Sequence, residues 1–329
     1  MQSNKTIDLI SIGNTITDLE FHVDESKLNA LGIKKGSMNL IDHNKKSELI
    51  STLGSPVHQC SGGSAANSLF VANRFNLSTY HMGVIGNDPL ADFTKSDYNS
   101  LNIQHSFNLT EVEGDSGCCL VLITPDGERT MMTYLGVSSQ FQIGDHFDSI
   151  ISEAKLILIE GYLLADDNVN ELLNSTIIPL AKTHKTQLAI TLSDAGLVDF
   201  FKSRFKTILD YGFDYVFANL DEAVMISGAQ TIDEMIPFFM SVAIETVVTD
   251  AQNGAYTLIN GTAFHHETTS KQPVDTTGAG DSFAGTYLSQ RLTGESIEIS
   301  GNRANEIASI VISNYGARPK ALVQALHSI

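Results

Sequence analysis

The stretch Asp275-Thr276-Thr277-Gly278-Ala279-Gly280-Asp281-Ser282-Phe283 places three small residues in a row directly before a segment of helical periodicity, predicted over Gly280–Leu292. Small residues let a ligand approach the backbone closely, and the amides of a helix start, together with the helix dipole, bind anions. Asp281 would lie within reach of such an anion, where a carboxylate suits a general base. The spacing also fits a structural role, in which Thr277 or Asp275 caps the helix and the glycines form a tight turn.

Outward from this stretch, short apolar runs alternate with amphipathic segments over most of the chain. This alternation predicts an α/β fold with a doubly wound, mostly parallel sheet flanked by helices. The predicted strands are Ile7–Ile12, Thr79–Ile85, Leu156–Glu160, Leu188–Leu192, Tyr215–Ala218, Thr246–Thr249 and Ala255–Ile259. The other predicted helices are Ser64–Phe75, Ala165–His184, Val198–Tyr211 and Thr231–Val242.

Two segments depart from that alternation. Glu20–Asn44 is charged and irregular, while Cys118–Thr124 and Thr130–Leu135 flank the turn residues Pro125-Asp126-Gly127 and predict a hairpin. We interpret both segments as one small β lid inserted into the α/β core to cover a cleft. The predicted core comprises residues 1–18, 45–104 and 137–329, and the predicted lid comprises residues 19–44 and 105–136.

The composition excludes several classes of partner. The chain has 329 residues, with 20 Lys and Arg against 38 Asp and Glu, so its formal net charge is −18. Nucleic acid and anionic membranes need a basic face, and neither is an expected partner. A phosphate-bearing small molecule remains compatible, because a few oriented amides can outweigh the average field. Without a recognisable signal peptide or apolar span, the sequence predicts a soluble cytoplasmic protein.

Two further stretches could contact a polyhydroxylated ligand. In Ser61-Gly62-Gly63-Ser64-Ala65-Ala66-Asn67 the paired glycines allow close approach, and Asn67 offers a donor and an acceptor. Asn14 and Asp18 follow the first strand, where ligands of α/β proteins gather, and the carboxylate could accept two hydrogen bonds from a vicinal diol. A tight loop and a turn cap are the structural alternatives at these two places.

Asn219-Leu220-Asp221-Glu222 ends another predicted strand. An Asn and a Glu at this spacing can hold the water shell of Mg²⁺, or they can form a capping box. The spacing does not separate the two. The chain lacks the P-loop, the catalytic loop of protein kinases and the dinucleotide fingerprint, which excludes those three classes.

Taken together, these stretches resemble the ribokinase-like (PfkB) family of carbohydrate and nucleoside kinases. The family's Asp-Thr-x-Gly-Ala-Gly-Asp signature is met at Asp275–Asp281, and its Gly-Gly…Asn signature at Gly62, Gly63 and Asn67. Its Asn-x-x-Glu motif is met at Asn219 and Glu222. The resemblance covers essentially the whole chain and implies a ribokinase-like fold in which the core holds an ATP site and the lid covers the substrate site.

The resemblance also implies roles for single residues. Asp281 would be the general base, and the amides of residues 278–280 would stabilise charge on the transferring phosphoryl group. Asn219 and Glu222 would organise Mg²⁺ through water. The implied nucleotide-binding residues are Asn219, Thr249, Asp250, Gly254 and Asn305. A monovalent cation such as K⁺ is implied beside the anion site, at Asp275, Thr277 and Gly316.

Several details resemble the adenosine-kinase-like branch of the family. Gly13-Asn14-Thr15-Ile16-Thr17-Asp18 resembles its Gly-Asn-x-x-x-Asp segment, and Leu192-Ser193-Asp194 resembles its Leu-Ser segment. Asp126-Gly127-Glu128-Arg129-Thr130 resembles its Asp-x-x-Arg-Ser turn, from which Arg129 could reach over the phosphates. Ser64-Ala65-Ala66-Asn67 departs from the usual Ser-x-Gln-Asn. The implied substrate-binding residues are Asn14, Asp18, Gly62, Gly63, Ser64, Asn67 and Arg129.

We therefore expect an ATP-dependent kinase that phosphorylates a hydroxymethyl group of a ribonucleoside resembling adenosine, or of a sugar. The alternatives are a sugar kinase for fructose, ribose or a ketodeoxy sugar acid, and a non-catalytic ligand-binding member of the fold. The expected partner is a small-molecule sugar or nucleoside. The protein would be a monomer or a homodimer formed through the lid.

Overall fold

The computed structural model describes residues 5–109, 112–144, 146–268 and 273–327. The chain forms two compact units. The first unit comprises the described residues of Met1–Gly13, Ser64–Met82 and Gln142–Ile329. The second unit comprises those of Asn14–Gly63 and Gly83–Phe141.

The strands and helices are numbered along the chain. The strands are β1 (Ile7–Ile12), β2 (Ile16–His22), β3 (Met38–Leu40), β4 (His58–Gly62), β5 (Thr79–Met82), β6 (Gln104–His105), β7 (Gly117–Ile123), β8 (Arg129–Tyr134), β9 (Ala154–Glu160), β10 (Gln187–Thr191), β11 (Phe213–Asn219), β12 (Ala243–Thr249), β13 (Ala255–Ile259) and β14 (Thr262–His266). The helices are α1 (Glu25–Ala30), α2 (His43–Leu53), α3 (Ser64–Arg74), α4 (Pro89–Ser100), α5 (Phe147–Glu153), α6 (Asp167–Leu172), α7 (Ile178–Thr183), α8 (Ala195–Phe200), α9 (Lys202–Leu209), α10 (Leu220–Ser227), α11 (Ile232–Val242), α12 (Ala279–Leu292), α13 (Ile297–Ile312) and α14 (Lys320–His327). Among the described residues, no helix has both the length and the apolar character needed to cross a bilayer.

The first unit is built on a large sheet. Its strands follow the order β14-β13-β12-β11-β10-β9-β1-β5. The strands from β12 to β5 run parallel, while β12, β13 and β14 pair antiparallel. Residues 156–159 of β9 are fully buried, as expected for a parallel strand covered on both faces. Because β1 lies between β9 and β5, the chain order reverses at β1, and ligands of such sheets bind outside the carboxyl ends of the strands.

The predicted mostly parallel sheet flanked by helices is confirmed, and β1 and β13 have the predicted bounds. The helix predicted over Ala165–His184 is instead interrupted by a π-type turn at Leu173–Ile177. Pro179 follows directly in α7, and because it has no amide to donate to the preceding turn, regular α-helical bonding is lost there. The helix predicted over Val198–Tyr211 is likewise divided into α8 and α9.

The second unit holds a five-stranded sheet in the order β3-β8-β7-β2-β4. The predicted hairpin forms between β7 and β8, which pair antiparallel. Strand β2 pairs with β7 on one side and with β4 on the other, where Asp18 is opposite Cys60. The unit also contains residues 14–18, 45–63, 83–104 and 137–141, which were predicted to belong to the core. The unit therefore extends beyond the predicted lid, whose covering role stays a prediction.

Candidate active site

Helix α12 begins without a capping side chain, unlike α8, α10, α11 and α13. Its N-cap is Gly278, whose φ of +76° lies in the left-handed region. The first amides of a helix have no acceptor within the helix. The amide of Ala279 donates to the carbonyl of Thr276 at 3.2 Å, but those of Gly280 and Asp281 have no acceptor within the described residues. Within the predicted anion site of residues 278–280, the Gly280 amide is therefore open and the Ala279 amide is engaged, and the Asp281 amide, which was not predicted, is open as well.

The carboxylate of Asp281 is held from the first turn of α3. The Ser64 hydroxyl donates to Oδ1 at 2.6 Å, and Nδ2 of Asn67 donates to Oδ2 at 3.0 Å. Burial raises the pKa of Asp281, against the opposing effects of these two bonds and of the nearby charge of Arg318. A carboxylate that is fixed in direction and has a raised pKa suits a general base.

Asn67 has a different set of contacts from the one that its sequence position suggests. The sequence predicts that its amide contacts the substrate, yet its side chain is buried and already bonded on both sides. Nδ2 donates to Asp281, and Oδ1 accepts from Nε of Arg318 at 2.9 Å. Asn67 and Ser64 thus contact the candidate base in this structure, and their contact with substrate stays a prediction.

The side chain of Asp275 fixes the loop before α12 through two hydrogen bonds. Its Oδ1 accepts from the amide of Thr277 at 2.9 Å, and its Oδ2 accepts from the amide of Gly316 at 2.8 Å. The structure therefore brings together the three residues predicted to lie beside a monovalent cation. The observed bonds shape the loop, and they leave the cation itself untested.

A pocket of about 440 Å³ opens beside the start of α12. It brings together predicted residues from four parts of the first unit. These are Asn219, Thr249, Gly254, Ala279, Gly280 and Asn305. A Cβ placed on Gly280 would meet nothing within 4 Å, so this end of the pocket is open to a ligand at the backbone. Of the five predicted nucleotide-binding residues, Asp250 is the one outside the lining of this pocket. It closes the loop through its amide, which donates to the Gly254 carbonyl at 2.7 Å.

One wall of the pocket extends beyond the predicted Asn305 to residues that the sequence did not reveal. Asn305, Ala308, Ser309 and Ile312 line it from one face of α13, at spacings of three and four residues. That periodicity, counted onward from Asn305, could have revealed the wall. The side chain of Asn305 also fastens this wall to the sheet, because Nδ2 donates to the carbonyl of His266 at 2.9 Å.

Asn219 and Glu222 form the capping box that the spacing allowed. Oδ1 of Asn219 accepts from the Glu222 amide at 2.8 Å, and Oε2 of Glu222 accepts from the Asn219 amide at 3.0 Å. Nδ2 of Asn219 also donates to Oε1 at 2.7 Å. Burial raises the pKa of Glu222 to about 7. Both carboxylate oxygens already accept hydrogen bonds, so the buried carboxylate is better suited to hold a metal through its water shell than to ligate the metal directly.

Glu160, another buried carboxylate of the first unit, was not singled out from the sequence. It ends β9, and its Oε2 accepts from the amide of Ala65 at 3.0 Å, one residue beyond Ser64. Its position at the end of a parallel strand is the only sequence signal that could have found it.

In the second unit, the predicted residues Asp18 and Gly62 are brought together. A Cβ on Gly62 would lie 2.7 Å from Oδ2 of Asp18, so the glycine makes room for the carboxylate. Gly63 follows with a φ of +98°, and the side chain of Asn14 is buried.

Arg129 has a contact that its predicted role did not anticipate. Its Nη2 donates to Oε1 of Glu20 at 3.0 Å, in an ion pair whose side chains are 6% and 16% exposed. This pair holds the guanidinium beside β2, and its contact with phosphates stays a prediction.

An aspartate fixed beside open helix-start amides, next to a pocket at the carboxyl edge of a mostly parallel sheet, is an arrangement suited to phosphoryl transfer in an α/β protein. The model of the pfkB family of carbohydrate kinases matches residues 28–323, and the chain belongs to that family. Kinases of this family use ATP and Mg²⁺ and transfer phosphate to hydroxyl groups.

Individual proteins agree with this assignment. Adenosine kinase 2 of Arabidopsis thaliana is 26% identical over 345 residues, which cover 96% of this chain and 97% of that protein. The solved structure of a probable sugar kinase from Rhizobium etli CFN 42 is 28% identical, with a TM-score of 0.86 and 98% of each chain covered. Adenosine kinase from Sinorhizobium meliloti is also 28% identical, with a TM-score of 0.85, covering 98% of this chain and 99% of that one.

Proposed function

We propose that this kinase transfers the γ-phosphoryl group of ATP to a hydroxymethyl group of a ribonucleoside, with adenosine as the first candidate. The observation that carries the proposal is the Asp281 carboxylate, held by Ser64 and Asn67 beside the open amides of α12. A base and an anion site at the mouth of one pocket are the two elements that phosphoryl transfer to an alcohol requires.

In this proposal, Asp281 removes the proton of the acceptor hydroxyl as that oxygen attacks phosphorus in line with the leaving group. The amides of Gly280 and Asp281 stabilise the charge on the transferring group. ATP occupies the 440 Å³ pocket, with Thr249, Asp250, Gly254 and Asn305 around the nucleotide. Asn219 and Glu222 hold Mg²⁺ through water, and the metal, when bound, supplies charge neutralisation at the phosphates.

The acceptor is proposed from the similarity to adenosine kinases and from four residues of the second unit. The adenosine kinases of Arabidopsis thaliana and Sinorhizobium meliloti resemble this chain over nearly its full length. Asn14, Asp18, Gly62 and Gly63 are proposed to bind acceptor hydroxyls, because a carboxylate beside glycine backbone can accept from a vicinal diol. K⁺ is proposed beside the loop that Asp275 ties.

A sugar is the second candidate acceptor. The probable sugar kinase of Rhizobium etli resembles this chain as closely as the adenosine kinase of Sinorhizobium meliloti does, at 28% identity in each case. The shared chemistry is a hydroxymethyl group beside neighbouring hydroxyls, which ribose, fructose and ribonucleosides all carry.

The test is ADP release by the purified protein with Mg-ATP and a panel of adenosine, other ribonucleosides, ribose, fructose and a ketodeoxy sugar acid. Release that depends on adenosine supports the first candidate. Release with sugars alone would transfer the assignment to the second. No release above the acceptor-free rate with any compound would contradict the kinase proposal itself.

A further inference from the structure

Arg318 lies in the short segment between α13 and α14, and it is in contact with α3. Its Nε donates to Oδ1 of Asn67 at 2.9 Å, and its guanidinium lies 4.7 Å from the centroid of the Phe70 ring. Asn67 and Phe70 are three residues apart and therefore share one face of the helix. The ring holds the guanidinium in place while the hydrogen bond sets its direction.

The chemistry of arginine determines which way the Asn67 carboxamide faces. A guanidinium has donors and no acceptor, so the atom of Asn67 that meets it must be the carbonyl Oδ1. Nδ2, on the other branch of the carboxamide, is thereby presented to Oδ2 of Asp281 at 3.0 Å. With the carboxamide turned over, a carbonyl oxygen would face the carboxylate, and the ionised form of Asp281 would be destabilised.

We infer that Arg318 is a positioning residue of this active site: through Asn67, it holds a hydrogen-bond donor against the Asp281 carboxylate and so maintains the base. The inference rests on the proposed function, because it assigns a role around the proposed base. The charge of Arg318 also acts on Asp281 directly.

The same segment also braces the anion site. The amide of Gly316 donates to Oδ2 of Asp275, which ties the segment to the loop before α12. A Cβ on Gly278 would clash with the Cβ of Ala317, so the glycine at the helix start packs directly on the segment. Three consecutive residues, 316–318, therefore contact the loop, the N-cap glycine and the partner of the base.

Charged and titratable groups around Asp281 act on the pKa of its carboxyl. Arg318 is the cation that acts on Asp281, and its charge lowers the pKa of the carboxyl against the effect of burial. Tyr162, in the segment after β9, is a titratable neighbour of Asp281, and the carboxylates of Asp194, Glu160 and Glu222 act on the same tyrosine. Removing the cation leaves the burial effect less opposed, so the pKa of Asp281 should rise.

The first test compares Arg318→Gln with Arg74→Gln. Arg74 is the matched control, because its guanidinium lies 5.3 Å from the centroid of the same Phe70 ring and has no assigned bond to Asn67. Arg318→Gln should lower kcat by about tenfold to a hundredfold, the range for losing support from a charged hydrogen bond. KM for ATP should change by less than about threefold, and the acidic limb of the kcat profile should move to higher pH. Arg318→Lys, which keeps the charge and one donor, should recover part of the loss.

The second test is a double-mutant cycle with Asn67→Ala. Because Arg318 acts partly through Asn67 and partly through its charge, Arg318→Gln should have a smaller effect on kcat in the Asn67→Ala background than in the wild-type background. Equal effects in both backgrounds would overturn the inference, as would an Arg318→Gln enzyme with the kcat and pH profile of Arg74→Gln. Thermal unfolding and Mg-ATP affinity of each variant separate loss of the base from loss of the fold.

The inference and the proposed function can fail separately. A wild-type protein inactive with every acceptor would contradict the proposed function. In that case the inference is tested by measuring the pKa of the Asp281 carboxyl directly, from the pH dependence of its ¹³C signal in protein labelled at aspartate. The signal is assigned to Asp281 because it disappears in Asp281→Asn. A higher pKa in Arg318→Gln than in Arg74→Gln supports the inference, and equal values overturn it.

Discussion

Helices α10 and α12 both place their first residues at the same pocket, yet their N-termini are built in opposite ways. In α10, Asn219 is the N-cap, and its side chain and that of Glu222 satisfy each other's backbone amides. In α12, the N-cap is Gly278, which has no side chain to contribute. Each helix carries an acid at its third position, but Glu222 turns back onto its own helix whereas Asp281 is held by α3.

The difference shows how one fold separates structural helix starts from a reactive one. In α10 the capping box satisfies the amides of the N-cap and of the third residue, so the Glu222 amide is not available to a ligand. In α12 the amide of the third residue, Asp281, keeps its free donor among the described residues, and the helix start must be stabilised by other contacts. In α12 that stabilisation lies along the helix, where Tyr287 donates to the buried carboxylate of Glu245 at 2.7 Å and Arg291 pairs with the same carboxylate at 3.0 Å.

The largest expected effect comes from neutralising the acid of the open start. Asp281→Asn should lower kcat by about 10²–10⁴-fold, because the amide cannot take the proton of the acceptor. The affinity for Mg-ATP should stay within about threefold, since the open amides are retained. Steady-state kinetics and calorimetric ATP binding measure the two quantities.

The control for this variant is Asp221→Asn, which neutralises an exposed acid in the first turn of the capped helix α10. It should leave kcat unchanged. Near-normal turnover by Asp281→Asn would remove Asp281 from the mechanism and with it the functional contrast between the two helix starts.

The next effect comes from filling the space above the open start. In Gly280→Ala the new methyl group meets no protein atom within 4 Å, so the free protein should be as stable as wild type or more stable by about 0.5–1 kcal/mol. The methyl group would nevertheless occupy space next to the anion site. We expect kcat/KM for ATP to fall by about tenfold or more.

Gly196→Ala is the matched control, because Gly196 is the second residue of the capped helix α8 as Gly280 is of α12. Its stability should change slightly and its kinetics not at all. A Gly280→Ala enzyme with wild-type kinetics would mean that no ligand approaches the backbone there.

These contrasts also show what a sequence can reveal. The capping box, the glycine-rich turn and the strands β1 and β13 were predictable, because each depends on residues that are close in the chain. Strand β4, His58-Gln59-Cys60-Ser61-Gly62, was missed because it lacks the alternation of apolar residues that marks a strand.

The support of the base could not be predicted from local patterns. Ser64 and Asp281 are separated by 217 positions, and Asn67 and Arg318 by 251. No helical or strand period links residues so far apart. Packing of α3 against α12 brings Ser64 to Asp281, and packing of the segment before α14 on α3 brings Arg318 to Asn67. Asn67 was therefore predicted to contact a ligand, and its bond to the base was missed.

A third, smaller effect tests the capped start. Asn219→Ala should destabilise the protein by about 1 kcal/mol, because the Glu222 amide loses its acceptor. Asn219→Ser keeps an N-cap oxygen and should restore that stability. If Asn219 also holds Mg²⁺ through water, the serine variant should still need more Mg²⁺ for half-maximal activity.

Denaturant unfolding and Mg²⁺ titration of the initial rate measure these two properties. Serine and wild-type enzymes with the same Mg²⁺ requirement would leave Asn219 as a cap only. That result would sharpen the contrast, because α10 would then contribute structure alone to the pocket.

The smallest effect concerns the buried network that anchors α12. Thr257 is bonded to Tyr287 of α12 at 3.1 Å and to Nε2 of His266 at 2.9 Å. Burial lowers the pKa of His266 from 6.5 to about 4, so between these values the unfolded chain binds more protons than the folded one. Stability should therefore be complete above about pH 6.5 and fall as the pH drops toward 4. After allowance for solvent screening, the expected loss is on the order of 1 kcal/mol.

His266→Gln should flatten this part of the stability profile, while His265→Gln, at the exposed neighbour, should leave it nearly unchanged. Urea unfolding at a series of pH values between 4 and 7 measures the slope for each variant. The slope is the informative quantity, because a packing defect at residue 266 lowers stability equally at every pH, whereas the loss of a proton-binding difference changes only its pH dependence. If the wild-type slope persisted in His266→Gln, the acid sensitivity would belong to another group, and the anchoring of α12 through Thr257 and Tyr287 would be independent of pH.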